Sequence, residues 1–208
     1  MYFSRKCKIT YICHGATIYS EEGRFSDTEN YPPLSDLGEE EMKSVIGYLK
    51  ARGVKNDVIY SSPSVRTCQS AEFISKLFKK DYEIVNELKP RECGKWNGLT
   101  FDQIFEKFPG GFEKIISEPD KRTVADAESS VEFITRIDNV VKRLVEQNIG
   151  NRIIIVTHPE VIQAAICSSL GIGADKLPKI FIRTGSITQI SYFENWASLV
   201  YSDYVPLL

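Results

Sequence analysis

Histidine is scarce in this sequence, and long apolar runs are missing from it. Only two of the 208 residues are histidines, His14 and His158. No apolar stretch approaches the roughly 20 residues of a membrane span, and the N-terminal residues lack the apolar core of a signal peptide. The net charge of −2 is also small, so no overall field favours nucleic acid or an acidic membrane. We therefore expect neither a membrane nor a nucleic acid as partner.

Cysteine occurs in a pattern that excludes two common kinds of site. None of the five cysteines belongs to a C-x-x-C pair, which argues against a zinc site. None is followed six residues later by arginine, as the loop of thiolate phosphatases requires. An odd number of cysteines without an export signal indicates reduced thiols, so we expect a cytoplasmic protein without a metal. The five are Cys7, Cys13, Cys68, Cys93 and Cys167.

Strand-like and helix-like segments alternate along the chain, whose composition of 42% hydrophobic and 26% charged residues is ordinary for a globular protein. Alternation of this kind predicts an α/β fold, a three-layer α/β/α sandwich with a mainly parallel sheet. We expect one domain over residues 1–208. Strands are predicted at about 8–13, 57–61, 82–87, 153–157, 186–193 and 198–204, and helices at 36–52, 63–79, 130–148 and 159–170.

Two segments depart from the parallel pattern. The last two strands meet near Glu194 and Asn195 and resemble a hairpin, which predicts one antiparallel edge strand. Residues 99–128 are rich in phenylalanine, glycine and charge, and they are interpreted as a helical insert. The near-helical spacing of four phenylalanines favours the inner face of that insert, with Trp96 as a packing anchor. The four are Phe101, Phe105, Phe108 and Phe112.

Both histidines directly follow a short β-branched run. His14 follows residues 8–13, and His158 follows residues 153–157. Such runs are typical of buried parallel strands, whose carboxyl ends face the crevice where open α/β sheets place their chemistry. Imidazole is a nucleophile and a proton carrier near neutral pH. We therefore expect the two rings to act together, with catalysis on an anion.

Four motifs stand in a familiar order and point to one family. The sequence resembles the histidine phosphatase superfamily, in its phosphoglycerate-mutase-like branch, from about residue 8 to 193. The most specific motif is Ser-Ser-Pro-x-x-Arg-x-x-Gln-x-Ala, which contains Arg66. The motifs are Tyr11-Ile12-Cys13-His14-Gly15, then Ser61-Ser62-Pro63-Ser64-Val65-Arg66 with Gln69 and Ala71, then Gly94-Lys95-Trp96-Asn97-Gly98, then Val156-Thr157-His158.

The resemblance implies a phosphoryl-transfer mechanism without a metal or another cofactor. His14 would attack phosphorus and carry the phosphoryl group, while Arg66 and His158 would hold the phosphate oxygens. Gly15 would let the phosphate approach the backbone closely. Helix N-termini near Ser64 and Pro159 would direct positive dipole ends at the anion.

One departure from the family pattern concerns charge at the phosphate. The family has arginine immediately before the first histidine, whereas this chain has Cys13. Loss of a preorganised donor costs on the order of 10²–10³ in rate, so we expect weak activity unless Arg24 or Arg91 supplies the missing cation. Cys13 itself is interpreted as a buried hydrophobe. A lesser hypothesis is that Arg66 promotes ionisation of its thiol.

The second departure concerns the proton donor. The family's usual glutamate falls on Pro90, which has no proton to donate. The nearest alternative is Glu92. Glu160 is the second candidate, because the acid-phosphatase branch places its donor just after the second histidine. An ionised Glu160 would, however, repel a phosphate dianion.

These observations predict a phosphomonoester hydrolase that works through a phosphohistidine at His14. Its substrate would be a small phosphoester or a phosphoprotein. The alternative is a degenerate member that binds a phosphorylated ligand and is weakly active or inactive. A phosphoglycerate mutase is less favoured, since the chain lacks the expected acid. The sequence leaves the oligomeric state open, a dimer among the alternatives.

Overall fold

The computed structural model describes residues 5–27, 31–122 and 127–207. Within these residues six strands form one sheet in the order β3-β2-β4-β1-β5-β6. The predicted insert falls partly outside them, at residues 123–126. The strands are β1 (Arg5–Cys13), β2 (Val58–Ser61), β3 (Tyr82–Ile84), β4 (Arg152–Thr157), β5 (Ile187–Phe193) and β6 (Ala197–Tyr204).

Four long helices cover the two faces of the sheet. α2 and α3 pack with the side of β1 that carries Ile12, and α6 and α7 pack with the side that carries Ile9 and Tyr11. The predicted α/β/α sandwich is therefore confirmed. The helices are α1 (Ile18–Glu21), α2 (Asp36–Ala51), α3 (Val65–Phe78), α4 (Phe101–Lys107), α5 (Gly111–Ser117), α6 (Ser130–Gln147) and α7 (Pro159–Leu170).

The strand pairing explains why one edge of the sheet differs. β1, β2, β3 and β4 pair in parallel, whereas β5 pairs antiparallel with both β1 and β6. An antiparallel strand is present on the predicted side of the sheet. It is β5, which lies next to the edge strand and not at the edge itself. β6 forms the edge itself, because the hairpin at residues 194–196 reverses the chain once more.

Helix starts follow local hydrogen bonding. Ser129 and Glu132 form a capping box at the start of α6, and Pro159 occupies the first turn of α7. The predicted start of α3 at Pro63 is wrong, because the helix begins at Val65 with Ser64 as its N-cap. None of the helices in the described part of the chain combines the length and apolar character of a membrane-spanning segment.

The insert consists of α4 and α5 around an aromatic cluster. Trp96 is buried there and its ring contacts Phe25, Phe108 and Phe112, as expected for a packing anchor. The interpretation of all four phenylalanines as an inner face is wrong for two of them. Phe101 and Phe105 are 51% and 54% exposed. α5 packs against the 3-10 helix Ala174–Lys179 that follows α7.

Candidate active site

The two histidines meet at the carboxyl end of the sheet. β1 and β4 are neighbouring parallel strands in which Cys13 lies opposite Thr157. The residues that follow, His14 and His158, therefore lie side by side at the end of the sheet. The backbone N–H of His14 donates to the carbonyl of Thr157 at 2.9 Å. The ring centroids of His14 and His158 lie 5.3 Å apart at an interplanar angle of 66°. Both rings line one cleft, as their positions after the strands predict.

His14 is held in a single orientation. Its Nδ1 lies 2.8 Å from the carbonyl oxygen of Gly15, which can only accept a hydrogen bond. The Nδ1 proton therefore points to Gly15, and Nε2 keeps its lone pair. Burial, followed by the positive charge of Arg66, lowers the pKa of His14 to about 3. The imidazole is thus neutral, the state in which it is a nucleophile.

His158 is fixed by two serines of the Ser-Ser-Pro-Ser motif. Its Nε2 lies 2.8 Å from Oγ of Ser62 and 3.3 Å from Oγ of Ser64. Burial, with the charge of Arg66 next, places the pKa of His158 well below its ordinary value of 6.5. The ring is neutral, and it offers one donor and one acceptor nitrogen.

Arg66 brings a guanidinium to the same cleft from the first turn of α3. The residue is only 2% exposed, and its Nη2 donates to the carbonyl of Ser26 at 3.3 Å. The planar fork of arginine suits a phosphate group. The structure therefore brings His14, His158 and Arg66 together around one space.

Gly15 is required by the backbone of α2. A Cβ on Gly15 would lie 2.3 Å from the carbonyl oxygen of Gly38, and a Cβ on Gly38 would lie 2.1 Å from that of Ala16. This close approach holds the loop after His14 against the start of α2. Whether Gly15 also binds phosphate stays a prediction.

The two candidate replacement arginines differ in what they already bind. Arg91 lines the cleft, where its Nε donates a 2.9 Å hydrogen bond to the carbonyl of Glu128, and it forms no salt bridge with any described residue. Arg24 also lines the cleft, but its Nε pairs with Glu22 at 2.5 Å and its Nη1 donates to the carbonyl of Gly98. Arg91 is therefore better placed than Arg24 to bind an anion.

The two candidate acids differ in protonation. The Glu92 carboxylate is 2.7 Å from Nζ of Lys89, and this hydrogen bond lowers the pKa of Glu92. Burial raises the pKa of Glu160, although Arg66 and Arg91 act in the opposite direction. Both carboxyl groups line the cleft. Glu160, in the first turn of α7, is the one whose surroundings favour the acid form.

Cys13 is fully buried within the apolar core that contains Tyr11 and Val161. Burial raises its pKa well above the ordinary range, and the nearby Arg66 lowers that pKa only as a minor contribution. The interpretation as a buried hydrophobe agrees with this position. The hypothesis of easier thiol ionisation does not, because desolvation outweighs the charge of Arg66.

Several side chains hold the loops around the cleft in position. Ser70 accepts a hydrogen bond from the Gly15 N–H, and Glu41 accepts from the N–H of Ala16 at 2.7 Å. Arg136 pairs with Glu128 at 2.7 Å and also donates to backbone carbonyls of residues 87, 89 and 90, so it holds the loop before Arg91. Apart from the Arg136–Glu128 pair, these bonds join segments at least 25 residues apart in the sequence.

Comparisons with known proteins agree with this geometry. The family model described as "Histidine phosphatase superfamily (branch 1)" matches residues 9–203. Phosphoserine phosphatase 1 of Hydrogenobacter thermophilus is 26% identical over 171 residues, which cover 81% of this chain and 79% of that protein.

Solved structures show the same fold at low identity. A phosphoserine phosphatase of Entamoeba histolytica, in complex with 3-phosphoglyceric acid, superposes with a TM-score of 0.84 at 22% identity and covers 95% of this chain and 97% of its own. A mycobacterial glucosyl-3-phosphoglycerate phosphatase complexed with VO3 gives a TM-score of 0.83 at 21% identity, with coverage of 94% and 98%.

Proposed function

Because the chain belongs to the histidine phosphatase superfamily, we propose that it hydrolyses phosphomonoesters through a phosphohistidine at His14. The observation that carries this proposal is the convergence of two neutral imidazoles and one guanidinium on a single cleft. No metal enters the proposed reaction, because Arg66 and Arg91 neutralise the phosphate oxygens. Substrates are small phosphoesters, although the cleft is also open to a phosphoprotein.

In the first half of the reaction the lone pair of His14 Nε2 attacks phosphorus and the ester P–O bond breaks. The leaving oxygen takes a proton from the Glu160 carboxylic acid. The equatorial oxygens, where charge moves during the transfer, bind Arg66 and the Nδ1–H of His158. This is the His158 tautomer in which Nε2 accepts hydrogen bonds from the serine hydroxyls. The Nδ1 proton of His14 stays on the ring and donates to the Gly15 carbonyl throughout, so the ring keeps its orientation.

In the second half the Glu160 carboxylate accepts a proton from water, whose oxygen attacks phosphorus. The P–N bond breaks, phosphate leaves, and His14 is again neutral. Both carboxyl groups line the cleft, and Glu160 serves as donor in this proposal because, of the two, only Glu160 has a raised pKa. An acid of this kind contributes typically 10²–10⁴ in rate.

The test is phosphate release from para-nitrophenyl phosphate by the wild-type protein in excess chelator, beside His14→Ala. We expect chelator-resistant turnover that His14→Ala abolishes. Lys43→Ala, on the exposed face of α2, is a control that retains activity. Turnover by His14→Ala equal to that of wild type, or turnover that requires an added metal, contradicts the proposal.

A second candidate function is that of a phosphate-binding protein that no longer turns substrate over. One observation favours it: Cys13 replaces the family arginine and is buried without a charge. Vanadate binding without hydrolysis of a broad panel of phosphoesters would support this candidate and exclude the first.

A further inference from the structure

The cleft is much larger than a phosphate group. Its volume is about 740 Å³, within the range of pockets that enclose whole small molecules. We call the part of it that His14, His158 and Arg66 line the phosphate end. The remaining space is lined by residues of the insert and of the segment after the 3-10 helix Ala174–Lys179, among others, so the rest of a substrate would lie there.

The walls of this remaining space are largely apolar and partly open to water. Phe101 and Ile116 of the insert contribute to one side, and they are 51% and 39% exposed. Phe181 lines the cleft from the segment after the 3-10 helix and is 75% exposed. Phe25 and Phe112 add aromatic surface next to Phe101, with ring centroids 4.9 and 5.5 Å from it. Large exposed apolar side chains at a concave surface indicate a binding site.

The cations beyond the phosphate end already have partners. Arg24 pairs with Glu22, and Arg183 pairs with Asp203 at 2.8 Å. Among the described residues that line the cleft there is no lysine. A second anionic group on the substrate, such as a carboxylate, would compete with these two carboxylates for the guanidinium groups.

We infer that the substrate is a small phosphomonoester whose alcohol or phenol part is extended and apolar, with that part bound between Phe101, Ile116 and Phe181. This inference rests on the proposed phosphatase activity. It follows from the continuity of the apolar walls with the phosphate end of the same cleft. Apolar contact on this scale adds affinity in proportion to the area removed from water.

The experiment compares ethyl, butyl and hexyl phosphate, which differ in apolar length but have leaving alcohols of nearly equal acidity. We expect kcat/KM to rise from ethyl to hexyl phosphate by about tenfold or more. Phosphoserine and 3-phosphoglycerate, which carry a second anionic group, should react more slowly than hexyl phosphate.

Two phenylalanines of α4 provide a matched pair of variants. Phe101 lines the cleft and Phe105 does not, yet both are about half exposed and both rings contact Phe112. Phe101→Ala should lower the hexyl-to-ethyl ratio of kcat/KM by about fivefold, whereas Phe105→Ala should leave it unchanged. Phe181→Ala, in the segment after the 3-10 helix, should lower the ratio as well.

The outcomes separate this inference from the proposed function. Equal kcat/KM for all three alkyl phosphates, with His14-dependent turnover intact, overturns the apolar subsite alone. Faster turnover of a charged phosphoseryl peptide than of hexyl phosphate also overturns it, in favour of a phosphoprotein. Equal losses in Phe101→Ala and Phe105→Ala contradict the assigned position of the subsite. Failure of the proposed function appears separately, as turnover that does not depend on His14.

Discussion

Ser70 connects the loop after His14 to the helix that carries Arg66. Its Oγ accepts a hydrogen bond from the Gly15 N–H at 3.1 Å and donates to the Arg66 carbonyl at 2.8 Å. All of these atoms are buried. One side chain therefore holds the backbone after His14 against the helix turn that contains Arg66.

Replacement of Ser70 by alanine should allow the loop after His14 to move relative to the helix that carries Arg66. We expect Ser70→Ala to lower kcat about tenfold with a smaller change in KM, because misplacement affects the transition state more than ground-state binding. The buried Gly15 N–H loses its acceptor, so the free energy of unfolding should fall by about 1–3 kcal/mol. Steady-state kinetics and urea denaturation measure the two effects. Ser75→Ala on the same helix is the control, and a loss of stability with unchanged kcat would contradict a positioning role.

The proton donor can be identified by replacing each of two carboxyl groups. Glu160→Gln should lower kcat for an alkyl phosphate by about 10²-fold or more, because the alkoxide leaves poorly without a proton. The loss for para-nitrophenyl phosphate should be much smaller, since its phenolate leaves unaided. Glu92→Gln, which only breaks the pair with Lys89, should stay close to wild type. Reversal of these two results would assign the donor to Glu92.

The pH profile should reflect two groups with opposite requirements. His14 must be neutral, and its pKa is lowered to about 3, so activity falls only in strong acid. Glu160 must be protonated, and its pKa is raised, so activity falls as the pH rises through that value. We expect an acidic optimum in kcat/KM for ethyl phosphate.

The ratio of wild-type to Glu160→Gln activity isolates the enzyme's contribution to this profile, because titration of the substrate cancels. The ratio should decrease as the pH rises. A ratio that is constant across the acidic range would show that Glu160 does not donate the proton.

Stability should depend on pH through the same buried histidines. The pKa values of His14 and His158 are lowered in the folded protein, so the unfolded chain binds protons first as the pH falls below about 6.5. The free energy of unfolding therefore decreases toward acid, by about 1.4 kcal/mol per pH unit for each histidine. Urea denaturation of His14→Asn between pH 7 and 4 should show a shallower dependence than wild type. An identical dependence would mean that His14 is protonated in the folded protein.

The principal residues of the site are predictable because their positions depend on local patterns. Apolar β-branched runs mark β1 and β4, and residues that follow parallel strands meet at one edge of the sheet. His14 and His158 therefore converge without knowledge of the loops. The position of Arg66 is predicted by a motif at the start of a helix.

The remaining features depend on contacts between distant segments. The choice between Glu92 and Glu160 depends on how Lys89 and Arg136 position the loop before Arg91. From the sequence, Ser70 is an ordinary helical serine. Its role depends on the loop after His14, whose Gly15 N–H donates to it in the folded protein. The order of β5 and β6 likewise depends on which strand pairs with β1, and the hairpin pattern alone does not decide this.

The most direct test of the account is the capture of phosphorylated enzyme during turnover. Rapid acid-free quenching followed by peptide mass spectrometry should find one phosphoryl group on the peptide that contains His14. Since the chain has only two histidines, His158 is the internal comparison. The account predicts a base-stable, acid-labile phosphoramidate at His14 that forms and decays at the rate of turnover, and that is absent from His14→Asn. Turnover with His14 unmodified throughout, or with phosphate on His158 instead, would contradict it.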